Sequence, residues 1–139
     1  MTYTIEKVTT LIGAHRFGAT DANIGFLLTD SRSLCFAEET LFFALKSGRG
    51  DGHAYIPDLY RRGVRNFVVE DVPADYDTAY PDANFLKVES SLVALQRLAE
   101  RHREEYDIPI VGITGSNGKT IVKEWLYQLL SPELKVTRS

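Results

Sequence analysis

The chain has 139 residues, of which 44% are hydrophobic and 25% charged, and its formal net charge is −3. This composition is typical of a soluble globular protein, and the length allows one domain and part of a second. The negative charge argues against general affinity for nucleic acid or anionic membranes. A single cysteine, Cys35, excludes an intrachain disulfide and favours the reducing cytoplasm. The N-terminus lacks the apolar core of a signal peptide, and no run is long enough to span a bilayer.

Reading from the N-terminus, the sequence first predicts a short helix. Thr4 is a good N-cap for residues 5–12, whose apolar positions recur at helical spacing, and a glycine follows them. We expect residues 13–23 to form a polar connection. Strands are predicted at 24–29 and 40–45, and the second is apolar enough to be buried on both faces of a sheet.

The alternation of helix and strand then continues. The sequence predicts a helix at 57–62 and strands at 66–70 and 84–88, with an irregular, proline-containing surface segment between the two strands. A longer helix is predicted to begin at Ser90 or Ser91. Its predicted inner face comprises Leu92, Leu95, Leu98 and Ala99, continued by His102 and Tyr106.

Strands that alternate with helices favour the α/β class with a parallel or mixed sheet. A boundary is predicted near Asp107, so that residues 1–106 form an N-terminal domain. Residues 107–139 are predicted to hold only the first β-loop-α-β unit of a second domain, with strands at 108–111 and 134–137. Because a P-loop domain needs several strands and a later acidic Mg²⁺ ligand, we expect the chain to be a truncated piece of a longer protein.

A glycine-rich loop, residues 112–120, lies between a predicted strand and a predicted helix. This context is typical of a phosphate-binding loop, where backbone N–H groups and a helix N-terminus face the phosphates. Lys119 is predicted to reach the outer phosphates, and Thr120 to ligate Mg²⁺. Ile113 stands where the strict pattern has glycine, so a strand-to-helix turn without a nucleotide is the alternative. The helix after the loop has an apolar stripe that we expect another surface to cover: Ile121, Val122, Trp125, Leu126, Leu129 and Leu130.

Two other polar segments follow predicted strands. Residues 30–33 can contact a nucleotide through a hydroxyl and a guanidinium, or they can form an ordinary Asx turn. The loop 46–53 lies where α/β folds bind ligands. Its Lys46 and Arg49 can hold a diphosphate, whereas the alternative is a flexible surface turn. His53 is expected to orient this loop.

Together these elements resemble the Mur ligase family of peptidoglycan synthesis. The resemblance rests on four segments in this order: 29–32, 41–46, 51–56 and 112–120. The Thr-Gly-Ser-Asn-Gly-Lys-Thr sequence of the last segment is the family's version of the phosphate loop. Residues 30–40 and 124–130 are similar in particular to the branch that adds D-alanyl-D-alanine to UDP-N-acetylmuramoyl-tripeptide, and to its Bacteroidetes form fused to an alanine racemase.

The resemblance implies an ATP-dependent amide ligase with three domains and an acyl-phosphate intermediate. The N-terminal α/β domain would bind the UDP part of the substrate. The central domain would bind ATP and Mg²⁺, and pyridoxal phosphate enters only if a racemase follows. The implied substrate-binding residues are Ser31, Arg32, Lys46, Gly48, Arg49 and His53. The implied ATP-binding residues are Gly115, Ser116, Asn117, Gly118, Lys119 and Thr120, of which the last two are catalytic and Thr120 is the metal ligand.

The later Mg²⁺ ligand, the adenine site and a C-terminal domain are missing from this sequence, so we expect no ligation by the chain alone. The alternatives are a ligase that adds a diamino acid to UDP-N-acetylmuramoyl-dipeptide, a P-loop kinase or NTPase, and a non-catalytic UDP-sugar-binding module. The expected partners are UDP-N-acetylmuramoyl-peptide and D-alanyl-D-alanine in the cytoplasm, without nucleic acid or membrane insertion. For the apolar stripe of the last helix three outcomes are open: docking on the N-terminal domain, self-association with another chain, or disorder of the segment.

Overall fold

The computed structural model describes residues 2–115 and 118–138. These residues form two compact units that divide between Tyr106 and Asp107. The first unit contains the sheets and four helices, and the second contains one helix.

The first unit alternates short strands and helices. Its strands are β1 (Tyr3–Thr4), β2 (His15–Phe17), β3 (Asn23–Ile24), β4 (Phe26–Leu28), β5 (Thr40–Phe43), β6 (Lys46–Ser47), β7 (Gly50–Asp51), β8 (Asn66–Val69) and β9 (Asn84–Lys87). Its helices are α1 (Ile5–Ile12), α2 (Ile56–Arg61), α3 (Tyr76–Ala79) and α4 (Ser91–Glu104), and 3₁₀ turns lie at Ser31–Ser33, Ala37–Glu39 and Gly52–Tyr55. The second unit contains α5 (Lys119–Leu130).

The main sheet has five strands in the order β2-β9-β8-β5-β4. Strands β4, β5, β8 and β9 pair in parallel, and β2 pairs antiparallel to β9. The predicted α/β class with a mixed sheet is therefore confirmed. Since the four parallel strands all end at one edge, the loops that follow them are brought together there.

The core lies on both faces of this sheet. On one face, Val8 of α1 and Leu98 of α4 pack with Leu41, Phe43 and neighbouring side chains. The other face carries an aromatic cluster against α2, in which the rings of Phe67 and Phe85 are stacked with centroids 5.3 Å apart. Burying an apolar side chain of this size stabilises the fold by roughly 1.5–3 kcal/mol. The helices therefore hold the sheet from both sides.

Three parts of the first unit differ from the sequence prediction. Residues 13–23 are not a polar connection, because β2 and the start of β3 lie within them. The strand predicted at 24–29 divides at Gly25, whose N–H donates to Glu39 O at 2.9 Å, so that β3 pairs with β1 and β4 with β5. The segment between β8 and β9 contains α3, because Tyr76 and Tyr80 pack on the aromatic cluster.

The inner face of α4 is also corrected. Leu98 is buried as predicted, but Leu92 is 53% exposed and Ala99 is exposed. The buried positions are Ser91, Ala94 and Leu98, and the last two belong to the core cluster that also contains Val8 of α1. The buried stripe therefore runs through Ser91, Ala94 and Leu98, with Leu95 packed at its border, and it leaves out Leu92 and Ala99.

The second unit is simpler than predicted. Residues 108–111 and 134–137 form no strand in the described part of the chain, because no neighbouring strand pairs with them. Helix α5 forms as predicted, but Trp125 is 63% exposed and Leu129 is 75% exposed. The covering of this apolar stripe by another surface stays a prediction. No helix in residues 2–115 and 118–138 is both long and apolar enough to cross a bilayer.

Candidate functional site

The first part of the site is the turn after β4. Asp30 caps the 3₁₀ turn Ser31–Ser33 by accepting the N–H of Arg32 at 3.0 Å. The Arg32 guanidinium pairs with the same carboxylate, with Nη2 2.7 Å from Oδ2. Hydrogen bonds from Arg32 lower the pKa of Asp30 to about 2. This is the Asx-type turn that the sequence left as an alternative, and it leaves the Arg32 side chain at the surface.

A second element holds this turn in place. The Nη1 atom of Arg62, just after α2, donates to Ser31 O at 2.8 Å. Tyr55, at the end of the neighbouring 3₁₀ turn, also contributes to raising the pKa of Arg32, although the Asp30 hydrogen bond is the main cause. The turn after β4 therefore lies beside the segment that follows the 46–53 loop.

The 46–53 loop is a small hairpin. Strands β6 and β7 pair Lys46 with Asp51 and Ser47 with Gly50, and this leaves Gly48 and Arg49 at the tip. At the base, the Gly52 N–H donates to Leu45 O at 2.7 Å. The loop is thus a paired hairpin, and its binding of a diphosphate stays a prediction.

His53 pins this hairpin to the end of β8. Its Nε2 accepts the N–H of Glu70 at 3.0 Å and that of Asp71 at 3.4 Å. The proton of a neutral ring must then sit on Nδ1, which lies 2.6 Å from Asp51 Oδ1. The backbone N–H of His53 donates to the same carboxylate at 2.9 Å. His53 thus orients the loop, and no ring nitrogen is left for a ligand.

Lys46 is held by carboxylates rather than standing free. Its Nζ lies 2.9 Å from Asp71 Oδ2 and 3.8 Å from Glu70 Oε1. The hydrogen bond with Asp71 raises the pKa of Lys46 and lowers the pKa of Asp71. Glu70 continues the connection by accepting the N–H of Ser91 at 3.1 Å, at the start of α4. The sequence prediction missed Glu70 and Asp71 as site residues, and their position at the end of the strand predicted at 66–70 was the available signal.

Two hollows open at this edge of the sheet. One of about 300 Å³ is lined by Asp51, His53 and Asp71, and one of about 390 Å³ is lined by Lys46, Asp71 and Lys87 among others. Asp71 lines both. A third hollow, of about 650 Å³, lies at the amino end of β8 and is lined by none of the predicted substrate-binding residues. Phosphate binding needs cationic side chains, which favours the 390 Å³ hollow because Lys46 and Lys87 both line it.

The predicted ATP-binding residues belong to the second unit. Ser116 and Asn117 lie outside the described residues. Gly118 precedes α5 with φ at 76°, a conformation that favours glycine, and no side chain caps the helix. The first N–H groups of α5, including those of Lys119 and Thr120, therefore have no capping side chain, which suits a phosphate oxygen. Among the described residues, no cluster of His, Cys, Asp or Glu side chains is arranged to hold a metal ion.

Known proteins with similar sequences are Mur ligases. The chain is 41% identical over 111 residues to the UDP-N-acetylmuramoyl-tripeptide–D-alanyl-D-alanine ligase of Synechocystis, covering 80% of the chain and 23% of that protein. It is 33% identical over 117 residues to the UDP-N-acetylmuramoyl-L-alanyl-D-glutamate–2,6-diaminopimelate ligase of Cytophaga hutchinsonii, covering 81% of the chain and 23% of that protein. The chain thus spans about a quarter of the length of the curated relatives it matches. No family model matches the chain.

Solved structures give the same result. MurF from Acinetobacter baumannii matches with a TM-score of 0.81 and 27% identity, over 96% of this chain and 28% of that one. MurF from Thermotoga maritima, solved in complex with ADP, matches with a TM-score of 0.62 and 32% identity, over 77% of this chain and 23% of that one. By sequence and by structure, the resemblance of this chain to the Mur ligase family, and to its MurF type, is confirmed.

Proposed function

We propose that the first unit binds the UDP part of a UDP-N-acetylmuramoyl peptide, within an ATP-dependent ligase that adds D-alanyl-D-alanine to the tripeptide. One observation carries the proposal. The Ser31–Ser33 turn and the 46–53 hairpin follow neighbouring parallel strands and meet at one edge of the sheet. The names of the similar ligases support the substrate class.

In this proposal the chain's residues divide between two ligands. Ser31, Arg32 and the hairpin residues Lys46, Gly48 and Arg49 bind the uridine diphosphate, with His53 fixing the hairpin. The loop 115–120 binds the ATP phosphates, and Thr120 ligates Mg²⁺, which neutralises phosphate charge when bound. The substrate carboxylate takes the γ-phosphoryl group and releases ADP. The amine of D-alanyl-D-alanine then attacks the acyl phosphate and expels inorganic phosphate.

Binding of UDP-N-acetylmuramoyl-tripeptide to the folded chain, measured by calorimetry, tests the substrate site. We expect measurable affinity, weakened about tenfold by Arg32→Ala because a charged hydrogen-bond donor is lost. Arg101→Ala is the matched control, since Arg101 also forms an exposed ion pair, with Glu104 on α4. A folded chain that produces no binding heat, or an equal loss in both variants, contradicts the proposal.

The second candidate is a ligase that adds a diamino acid to UDP-N-acetylmuramoyl-dipeptide, and the Cytophaga hutchinsonii relative favours it. Both candidates use the UDP edge in the same way. They differ in the amine that the full-length enzyme accepts, so turnover with D-alanyl-D-alanine against diaminopimelate separates them.

The domain division is part of the same proposal. We take residues 1–106 as the substrate domain and residues 107–139 as the start of the ATP-binding domain of a cytoplasmic enzyme. The chain alone is then expected to show neither ligation nor ATP hydrolysis. Hydrolysis by the chain that Lys119→Ala abolishes would instead favour a P-loop NTPase. Self-association through the α5 stripe is tested by sedimentation, and a racemase fusion by the coding sequence after Ser139.

A further inference from the structure

The Lys46–Asp71 ion pair occupies the place where the proposed substrate needs a cation. Lys46 Nζ is 2.9 Å from Asp71 Oδ2, and Glu70 stands behind it at 3.8 Å. The side chains of Lys46 and Asp71 are 43% and 78% exposed. A pair this open to water is weakly held, because solvent screens it and both side chains lose freedom in forming it. An incoming anion can therefore take the place of one partner.

The position of Asp71 is fixed by the hairpin itself. The Asp71 N–H donates to His53 Nε2 at 3.4 Å, and the Glu70 N–H donates to the same atom at 3.0 Å. His53 is in turn fixed by Asp51 on β7. The hairpin thus carries the lysine on β6 and, through His53, holds the backbone of the aspartate that neutralises it. Asp71 also lines both hollows at this edge, so its carboxylate lies within the proposed binding region.

We propose that Asp71 is an internal competitor of the substrate diphosphate for Lys46. Without substrate, the Asp71 carboxylate neutralises the ammonium group and keeps the hairpin closed on the end of β8. When a diphosphate oxygen binds Lys46, the aspartate side chain turns into solvent while its backbone stays on His53. Asp71 therefore lowers the affinity of this edge for a diphosphate by competing for Lys46. This inference rests on the proposed UDP-substrate site.

Calorimetry with UDP at low ionic strength tests the exchange in the whole chain. Asp71→Asn keeps the shape of the side chain but removes the negative charge that pairs with Lys46, which leaves only the longer 3.8 Å contact with Glu70. Removing an exposed ion pair of this kind is expected to tighten UDP binding about twofold to fivefold. Glu104→Gln is the matched control, because it removes one negative charge from an exposed pair on α4, and it should leave UDP affinity unchanged.

The Lys46→Ala background separates exchange from general charge repulsion. If Asp71 acts by occupying Lys46, Asp71→Asn should give no gain once Lys46 is absent. In the Arg49→Ala background the gain should persist, since Arg49 makes no ion pair with Asp71 among the described residues. A gain that survives Lys46→Ala, or none in the wild-type background, overturns the inference while leaving the substrate site intact. UDP binding absent from both wild type and Asp71→Asn contradicts the substrate site and the inference together.

Discussion

Gly52 is the point where the hairpin meets the sheet, and replacing it with alanine tests how closely they fit. A Cβ at this position would lie 2.8 Å from Leu45 N and 3.0 Å from Ala44 Cα. Ordinary contacts begin near 3.4 Å, so the hairpin must move by about half an ångström. Both atoms are backbone at the end of β5, where Ala44 is fully buried, so they cannot turn aside. Movement of the hairpin would also lengthen the 2.7 Å hydrogen bond from Gly52 N to Leu45 O.

Overpacking of this kind costs about 1–3 kcal/mol, and we expect Gly52→Ala to lower the free energy of unfolding by that amount. The hairpin supplies matched controls, because a Cβ at Gly48 or Gly50 meets nothing within 4 Å and neither has a positive φ. Alanine at either position should change stability by less than about 0.5 kcal/mol. Urea unfolding followed by far-UV circular dichroism measures all three. If Gly52→Ala is as stable as Gly50→Ala, the close approach does not constrain the hairpin.

Three further predictions concern other parts of the first unit. Leu98→Ala should lower the free energy of unfolding, measured in urea, by about 2–5 kcal/mol, because Leu98 is buried. Leu92→Ala should lower it by less than about 0.5 kcal/mol, because Leu92 is exposed. Equal losses in the two variants would refute the corrected inner face of α4. Burial raises the pKa of Tyr3 to about 12 from its ordinary 10.0. The folded chain then keeps a proton that the unfolded chain releases, so stability should fall as pH rises from about 10 to 12. Tyr3→Phe should make that slope shallower, and the remaining slope comes from Lys46 and Tyr60, whose pKa values are also raised. Arg62→Ala should speed amide hydrogen exchange in the Ser31–Ser33 turn, because it removes the 2.8 Å hydrogen bond to Ser31 O. Hydrogen-exchange NMR measures this, and an unchanged exchange rate would show that the turn is stable without Arg62.

The central strands were predictable because burial on both faces leaves a continuous apolar sequence. Strands β5 and β8 lie within the runs predicted at 40–45 and 66–70, and all their residues are buried. Strand β2 gave no such signal. It is a three-residue edge strand, His15–Phe17, whose side chains are exposed or half-buried. Its place is decided by antiparallel pairing with β9, which no local pattern in residues 13–23 reveals.

The inner face of α4 shows a different limit of the sequence. Leucine spacing favours a stripe that begins at Leu92, but the buried stripe begins at Ser91 and continues through Ala94. Large apolar residues alone do not reveal this stripe, because two of its three buried positions hold the small residues Ser91 and Ala94. Leu98 belongs to both the predicted and the observed stripe. The helix itself was therefore correctly predicted, but the face that it buries is rotated by about one residue from the predicted one.

The ion pairs of the candidate site differ in how far apart their partners lie in the sequence, and this decides which of them could be predicted. The sequence identifies Arg32, Lys46, Arg49 and His53 as the groups that could meet a diphosphate, but it cannot tell which of them are available. Arg32 and His53 each pair with an aspartate two residues away, as local turn chemistry allows. The partner of Lys46 is 25 residues distant, and only the parallel pairing of β5 with β8 brings Asp71 beside it. The site is therefore close to neutral before a ligand arrives, and its affinity for an anion depends on exchanging these partners more than on the number of its cations.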